Sequence, residues 1–429
     1  MRLDRTLTRL PLLLLALVLT CATGACDLGP GTSPTTSTGP SAPQSPTAPP
    51  RPSSTPTSPS SPATRPSSTF QPTSSPRPTA SRPPTASPGS GPTATPDPSA
   101  GASLAQLVGQ KLIVAMSGTS PSADLLGRIR RGEVGGVILF GANISTAAQV
   151  RALTSALRGA AAAAGRPHLL IAVDQEGGQI KRIPWIGPTI APPDLGELDD
   201  PDTARAQGLS TGQALRDLGI DLDLAPVVDV PVSDDAFIAR QGRAYSPSPT
   251  ITADMADAFA AGLRAAGVQP AFKHFPGLGL AMANTDTTFV TIEASATELA
   301  PGLVPYRAAI AHDTAPLIML SNAVYPALDE GAAAGWSRAI GVDLLRGELG
   351  FRGATMTDSL DGAAKSRGVT VASLAVRAAL AGTDLILTTG SEAATAGVYA
   401  ALLAQAKAGA IPRATLITSY ARIMALKGS

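Results

Sequence analysis

Eight short apolar or β-branched runs recur along the last three-quarters of the chain, with helical patterns between most of them. The runs are Lys111 to Met116, Gly135 to Phe140, His168 to Asp174, Asp221 to Val227, Gln269 to Phe275, Ala315 to Asn322, Gly353 to Asp358 and Thr383 to Thr389. Each is nearly continuous in apolar residues rather than alternating, the signature of parallel strands buried on both faces. Between them, TAAQVRALTSALRGAAAAAG and VASLAVRAALAG carry helical spacing and a glycine near the end, as a helix C-cap would. Ser103 to Gln110 adds a short helix ahead of the first strand. Alternation of strand and helix predicts an α/β fold. Eight strands are the number that closes a TIM-type (β/α)8 barrel; the alternative is an open doubly wound sheet.

Composition divides the chain. The first 25 residues place Arg2, Arg5 and Arg9 ahead of the apolar run LPLLLLALVL and then small residues, which reads as a signal peptide. Thr23 to Cys26 resembles the lipobox of bacterial lipoproteins, in which the cysteine is lipidated; a plain secretory signal is the alternative. Residues 26–100 are almost entirely Ser, Thr, Pro, Ala and Gly and bury too little surface to fold, so they read as a disordered linker. If Cys26 is lipidated, that linker is a tether reaching up to ~230 Å from a membrane at ~3.1 Å per residue. Residues 101–429 are then a single barrel domain on the outer side of the cell membrane, facing the cell wall, and the expected state is a monomer. The apolar run is short for a membrane span, and nothing later approaches one.

Charge and cysteine content narrow the chemistry. Residues 101–429 carry 26 Lys and Arg against 29 Asp and Glu, a formal −3 with no basic stripe, which argues against a nucleic-acid partner. Both cysteines, Cys21 and Cys26, precede the folded part, which excludes disulfides, thiolate metal sites and cysteine nucleophiles there. No cofactor or metal is expected, and no phosphate-binding glycine fingerprint follows a strand.

The polar residues gather at one end of the runs. Asp174, the pair Lys273 and His274, Asn322 and Asp358 each close a different strand, and C-terminal strand ends converge on the mouth where barrel enzymes hold their active sites. The chain has only three His and six Lys, so an adjacent Lys-His pair followed by Pro-Gly-x-Gly is a poor candidate for filler. Taken singly, the aspartates read as helix caps and His274 as a satisfied core histidine. Strict alternation would put Lys273 and His274 on opposite faces of the strand, so both reach one site only if the pleat is broken near Phe275-Pro276.

Four stretches in this order, VDQEGGQIKR (Val173 to Arg182), QGRAYS (Gln241 to Ser246), FKHFPGLG (Phe272 to Gly279) and FRGATMTDSL (Phe351 to Leu360), resemble the N-terminal barrel domain of glycoside hydrolase family 3, in particular its bacterial β-N-acetylhexosaminidase branch. The resemblance covers about residues 103 to 427 and implies a TIM-type barrel and a retaining exo-glycosidase. Its implied substrate is a carbohydrate with a terminal β-N-acetylglucosaminide, often from cell-wall fragments. Many members add a second α/β domain, for which the chain leaves no room. By motif, Asp358 matches the family's nucleophile, and Asp174, Arg182, Arg243, Lys273 and His274 match positions that hold the sugar.

One motif departs from the family. Where those enzymes carry an Asp-Ser-His unit whose His is the acid/base, this chain has Asn284, Thr285 and Asp286. Neither His168 nor His312 is placed to substitute. Asp286 is the nearest replacement, because a carboxyl shielded from water can hold a proton for donation; the bland reading is a loop aspartate in an Asx-turn. The competing functions are therefore a glycan-binding lipoprotein that has lost its acid/base, or a hydrolase of another sugar such as a β-glucoside. Aromatics make up 3% of the chain, which favours a pocket for one terminal sugar over a long stacking cleft, with Trp185 and Tyr245 as candidate lining residues.

Overall fold

A computed structural model describes residues 101–428. The signal peptide expected at residues 1–25, Cys26 and the linker at 26–100 lie outside the described residues. All eight expected strands form: β1 (Leu112–Ala115), β2 (Gly136–Leu139), β3 (Leu170–Val173), β4 (Leu222–Asp223), β5 (Gln269–Phe275), β6 (Leu317–Leu320), β7 (Ala354–Thr357) and β8 (Ile386–Thr388). Neighbours in sequence are neighbours in space, and every pairing is parallel. β8 returns to pair with β1, Leu112 opposite Ile386. The remaining seam, β7 to β8, is joined by a parallel bridge between Met356 and Leu385 and by the Thr357 N–H donating to the Leu385 carbonyl at 3.0 Å. That closure decides for the TIM-type (β/α)8 barrel against the open sheet.

Local sequence explains the helices that wrap it. Ser122, Thr146, Ser248, Thr370 and Ser391 each cap a helix by accepting a backbone N–H with the side chain. Ser103 and Gln106 form a reciprocal capping box on the first helix, Leu104–Gly109. Two long neighbouring helices, Pro201–Asp217 and Pro249–Ala265, cross at glycines: a Cβ on Gly208 would lie 2.1 Å from the Phe259 carbonyl oxygen, and one on Gly262 2.2 Å from that of Arg205. Side chains at either position would push the helices apart and loosen the wall behind β4 and β5.

The end of the barrel where the strands begin is sealed by polar groups. Lys111 is buried, and its Nζ donates to the Thr383 carbonyl (2.8 Å) and to Ser419 Oγ (2.9 Å). Asp384, fully buried, accepts from Arg346 (2.7 Å), Arg422 (3.3 Å), Ser419 (2.8 Å) and the Thr355 amide (3.0 Å). Burial lowers the Lys111 pKa to about 8 despite the attraction of Asp384. This network stitches β1, β7, β8 and the last helix, Arg413–Leu426, together.

Candidate active site

At the opposite end, where the strands finish, the loops surround a cavity of about 330 Å³. All seven residues expected at the site line it: Asp174, Arg182, Arg243, Lys273, His274, Asp286 and Asp358. Asp174 follows β3 directly and Asp358 follows β7 directly, which explains their convergence. The register of β5 against β6 shifts between Phe272 and Phe275, and the Lys273–His274 and Phe275–Pro276 peptides are cis. The register shift breaks strand alternation within β5, and both Lys273 and His274 face the cavity.

A buried ionic lattice forms one wall. Lys273 Nζ lies 2.8 Å from Asp174 Oδ1 and 2.7 Å from Glu176 Oε1. Arg243 grips the Glu176 carboxylate with both ends of its fork, each bond 2.7 Å. Arg182 stands 3.7 Å from the other oxygen of Asp174. Burial by itself would raise the Glu176 carboxyl, but Arg243 and Lys273 outweigh it and hold the pKa at about 2. Burial likewise works against the Lys273 ammonium, yet Asp174 and Glu176 raise its pKa above the ordinary lysine value. Glu176 and Lys273 are thus both charged near neutrality, and the wall presents fixed donors and acceptors suited to hydroxyls.

Two members of this machinery escaped the sequence reading. Glu176 sits in the small hairpin Gln175–Gly177 with Ile180–Lys181 that follows β3. Its signal was available: it lies two residues beyond Asp174, and Lys273 and Arg243 together need more than one carboxylate. Asp229 is the other. It is fully buried, accepts the backbone amides of His274 (3.1 Å) and Leu278 (2.7 Å), and receives His274 Nδ1 at 2.7 Å. That bond turns the imidazole so that Nε2 is its free nitrogen. An aspartate inside the apolar run Ala225 to Val230 was the sign, since a buried carboxylate must find partners.

Asp358 and Asp286 form the second wall. The Asp358 carboxylate accepts the Ser359 amide at 2.7 Å, its one side-chain hydrogen bond among the described residues. Asp286 belongs to the loop after β5, at the cavity rim. The Asp358 carboxylate, and then partial burial, push the Asp286 pKa up to about 6. Asn284 makes an Asx-turn here, its Oδ1 accepting the Asp286 amide at 2.8 Å, so it shapes the loop backbone instead of orienting the Asp286 carboxyl. The loop lies down on the helix after Asp358: a Cβ on Gly362 would sit 1.9 Å from the Asp286 carbonyl oxygen. Only glycine admits that approach.

Of the two aromatics expected at the pocket, Tyr245 is packed in the core and Trp185 is half exposed outside the cavity. Phe140 and Phe237 supply the rings that line it.

Comparison with known proteins agrees with this geometry. The model for the glycosyl hydrolase family 3 N terminal domain matches residues 103–426. An uncharacterized secreted glycosyl hydrolase of Arthroderma benhamiae is 34% identical over 77% of this chain and 95% of its own length. A β-hexosaminidase of Stenotrophomonas maltophilia is 36% identical over 64% and 82%. Among solved structures, a β-N-acetylhexosaminidase from Beutenbergia cavernae superposes with TM-score 0.71 at 35% identity, covering 76% of this chain and 99% of that one. A glycoside hydrolase family 3 β-N-acetylglucosaminidase from Paenibacillus sp. gives 0.72 at 32%, covering 76% of this chain and 62% of that longer one. The closed barrel, the mouth on which seven expected residues converge and a family match spanning nearly every described residue lead to one conclusion: the chain belongs to glycosyl hydrolase family 3.

Proposed function

We propose that this chain is a retaining exo-β-N-acetylglucosaminidase in which Asp358 is the nucleophile and Asp286 the acid/base. The observation that carries the reading is one cavity holding an ionised lattice for a sugar together with two facing carboxyls, one of which keeps its proton up to about pH 6 because of the other. In the first step Asp358 attacks the anomeric carbon and Asp286 delivers its proton to the departing oxygen, leaving a glycosyl-aspartate and a free alcohol. In the second, Asp286 takes a proton from water, the hydroxide displaces Asp358, and both carboxyls return to their starting states. Asp174, Lys273, Arg243, His274 and Arg182 hold the sugar hydroxyls, with Glu176 fixing the two cations and Asp229 the imidazole.

A cavity of about 330 Å³ is of a size for one terminal sugar. The N-acetylglucosamine preference is supported by the names of the relatives, β-hexosaminidase and β-N-acetylglucosaminidase. Export is supported by the secreted relative. Anchoring through a lipid on Cys26, cell-wall fragments as the source of substrate and action as a monomer complete the proposal. Hydrolysis of chromogenic β-N-acetylglucosaminide and β-glucoside across a pH series tests it. A clear preference for the first supports the reading; a preference for the glucoside, or no turnover of either, overturns it.

A further inference from the structure

Arg367 lies outside the cavity, and none of the chemistry above uses it. It ends the helix Leu360–Arg367, which begins two residues after Asp358. Its guanidinium stands against two rings, 4.5 Å from the centroid of Phe289 and 4.9 Å from that of Trp336. Its edges are also engaged: Nη2 donates to the Asn322 carbonyl at 2.7 Å and Nη1 to the Ala363 carbonyl at 3.2 Å. Asn322 in turn donates through Nδ2 to the Ser359 carbonyl at 2.7 Å, one residue from Asp358. Burial lowers the Arg367 pKa to about 10, which still leaves it cationic at neutral pH.

Phe289 gives the arrangement a purpose. It stands three residues beyond Asp286 on the same loop and is half exposed. The contact of Gly362 with the Asp286 carbonyl lets the loop come close, but it supplies no attraction. The ring of Phe289 over a cation fixed to the nucleophile's helix does. Arginine suits the place, because a flat guanidinium offers two faces to rings while its edge nitrogens bond carbonyls; a lysine ammonium cannot do both.

We propose that Arg367 is a positioning residue: held against Trp336 and Phe289, it latches the loop that carries Asp286 onto the helix that follows Asp358, and so sets the Asp286 carboxyl over the scissile oxygen. The role rests on the reading of Asp286 as the general acid. Phe289 is the probe of choice, since removing a half-exposed loop ring leaves the barrel core untouched.

The test uses the full chain, with hydrogen exchange of the loop and rates on dinitrophenyl and alkyl β-N-acetylglucosaminides. Phe289→Ala and Arg367→Ala are expected to lose about tenfold or more in kcat on the alkyl substrate and less than about threefold on the dinitrophenyl one, the pattern of a misplaced acid. KM should change little, the loop amides should exchange faster, and Phe289→Tyr should restore both readouts. Phe289→Ala added to Asp286→Ala should cost nothing further. Wild-type rates, equal losses on both substrates or unchanged loop exchange in the alanine variants would overturn the latch. If Asp286→Ala shows no leaving-group selectivity while the loop still loosens in Phe289→Ala, the acid assignment falls and the latch stands.

Discussion

The two ends of this barrel bury the same kinds of residue to opposite effect. At the base, the Asp384 carboxylate accepts from five donors and Lys111 donates to a carbonyl and a hydroxyl, so these charges are spent within the protein. At the mouth, the Asp358 carboxylate has one hydrogen bond among the described residues, and its charge pushes the pKa of the neighbouring Asp286 carboxyl up to about 6. The lattice of Lys273, Arg243, Asp174 and Glu176 is intermediate, paired within itself yet lining the cavity. Burying charge is costly wherever it happens. The base offsets most of that cost by pairing its charges with one another, only the Arg346 Nε of this network lacking a partner among the described residues, and serves stability; the mouth leaves more of it unmet and serves chemistry.

Breaking each end should therefore break a different property. Asp358→Ala is expected to reduce turnover by on the order of 10⁴-fold or more with an unchanged melting temperature, because the glycosyl-enzyme cannot form. A mechanism-based fluoro-sugar that labelled another residue would remove Asp358 from the role. Asp384→Ala should do the converse. Stranding Arg346, Arg422 and the neighbouring Lys111 should cost ~3–5 kcal/mol in denaturant unfolding, with kcat close to wild type wherever the protein remains folded. A large kcat loss at unchanged stability would erase the distinction between the ends.

Glu176 and Asp223 sharpen the comparison through pH. The Glu176 carboxyl is depressed from 4.5 to about 2, so its contribution to stability is fully present above about pH 4.5 and lost as pH falls toward 2. Glu176→Gln should flatten acid unfolding in that window and raise KM, since Arg243 and Lys273 lose the anchor that aims them. Asp223 behaves oppositely. Burial pushes its pKa up to about 8, it accepts only the Gln175 amide (2.9 Å), and its Oδ2 has no partner among the described residues. The folded state then holds the extra proton between about pH 4 and 8, and stability contributed by this group falls as pH rises through that range. Asp223→Asn should remove that slope, with a gain in Tm at pH 8 of roughly 2–4 °C per kcal/mol recovered and little change at pH 5. A slope that survives the substitution would assign it to another group.

What the sequence made legible follows from the same physics. All eight strands were visible because a strand buried on both faces leaves an uninterrupted apolar run, and Asp174 and Asp358 stood out by ending such runs. Asp229 and Glu176 did not, although both are buried, because their partners come from segments 45 and 67 residues away and pairing of that kind leaves no local period. Trp185 and Tyr245 were chosen for their rings within loop motifs, yet Phe140 and Phe237 hold the cavity positions, since strand ends and backbone course decide where a ring points. The cavity-facing direction of both Lys273 and His274 likewise depends on a register break in β5 that only the approach of Pro276 announced.

The central claim, that an aspartate performs here the acid/base role that the family motif gives to histidine, is tested most directly by the rate of Asp286→Ala across leaving groups with azide present. A dinitrophenolate needs little protonation, whereas an alkoxide needs it fully, and general acid catalysis is worth ~10²–10⁴-fold. The account predicts that the variant keeps most of its first-step rate on dinitrophenyl β-N-acetylglucosaminide, loses the alkyl substrate by that factor, and releases glycosyl azide once the negative carboxylate is gone. Equal losses on both substrates with no glycosyl azide formed would contradict it.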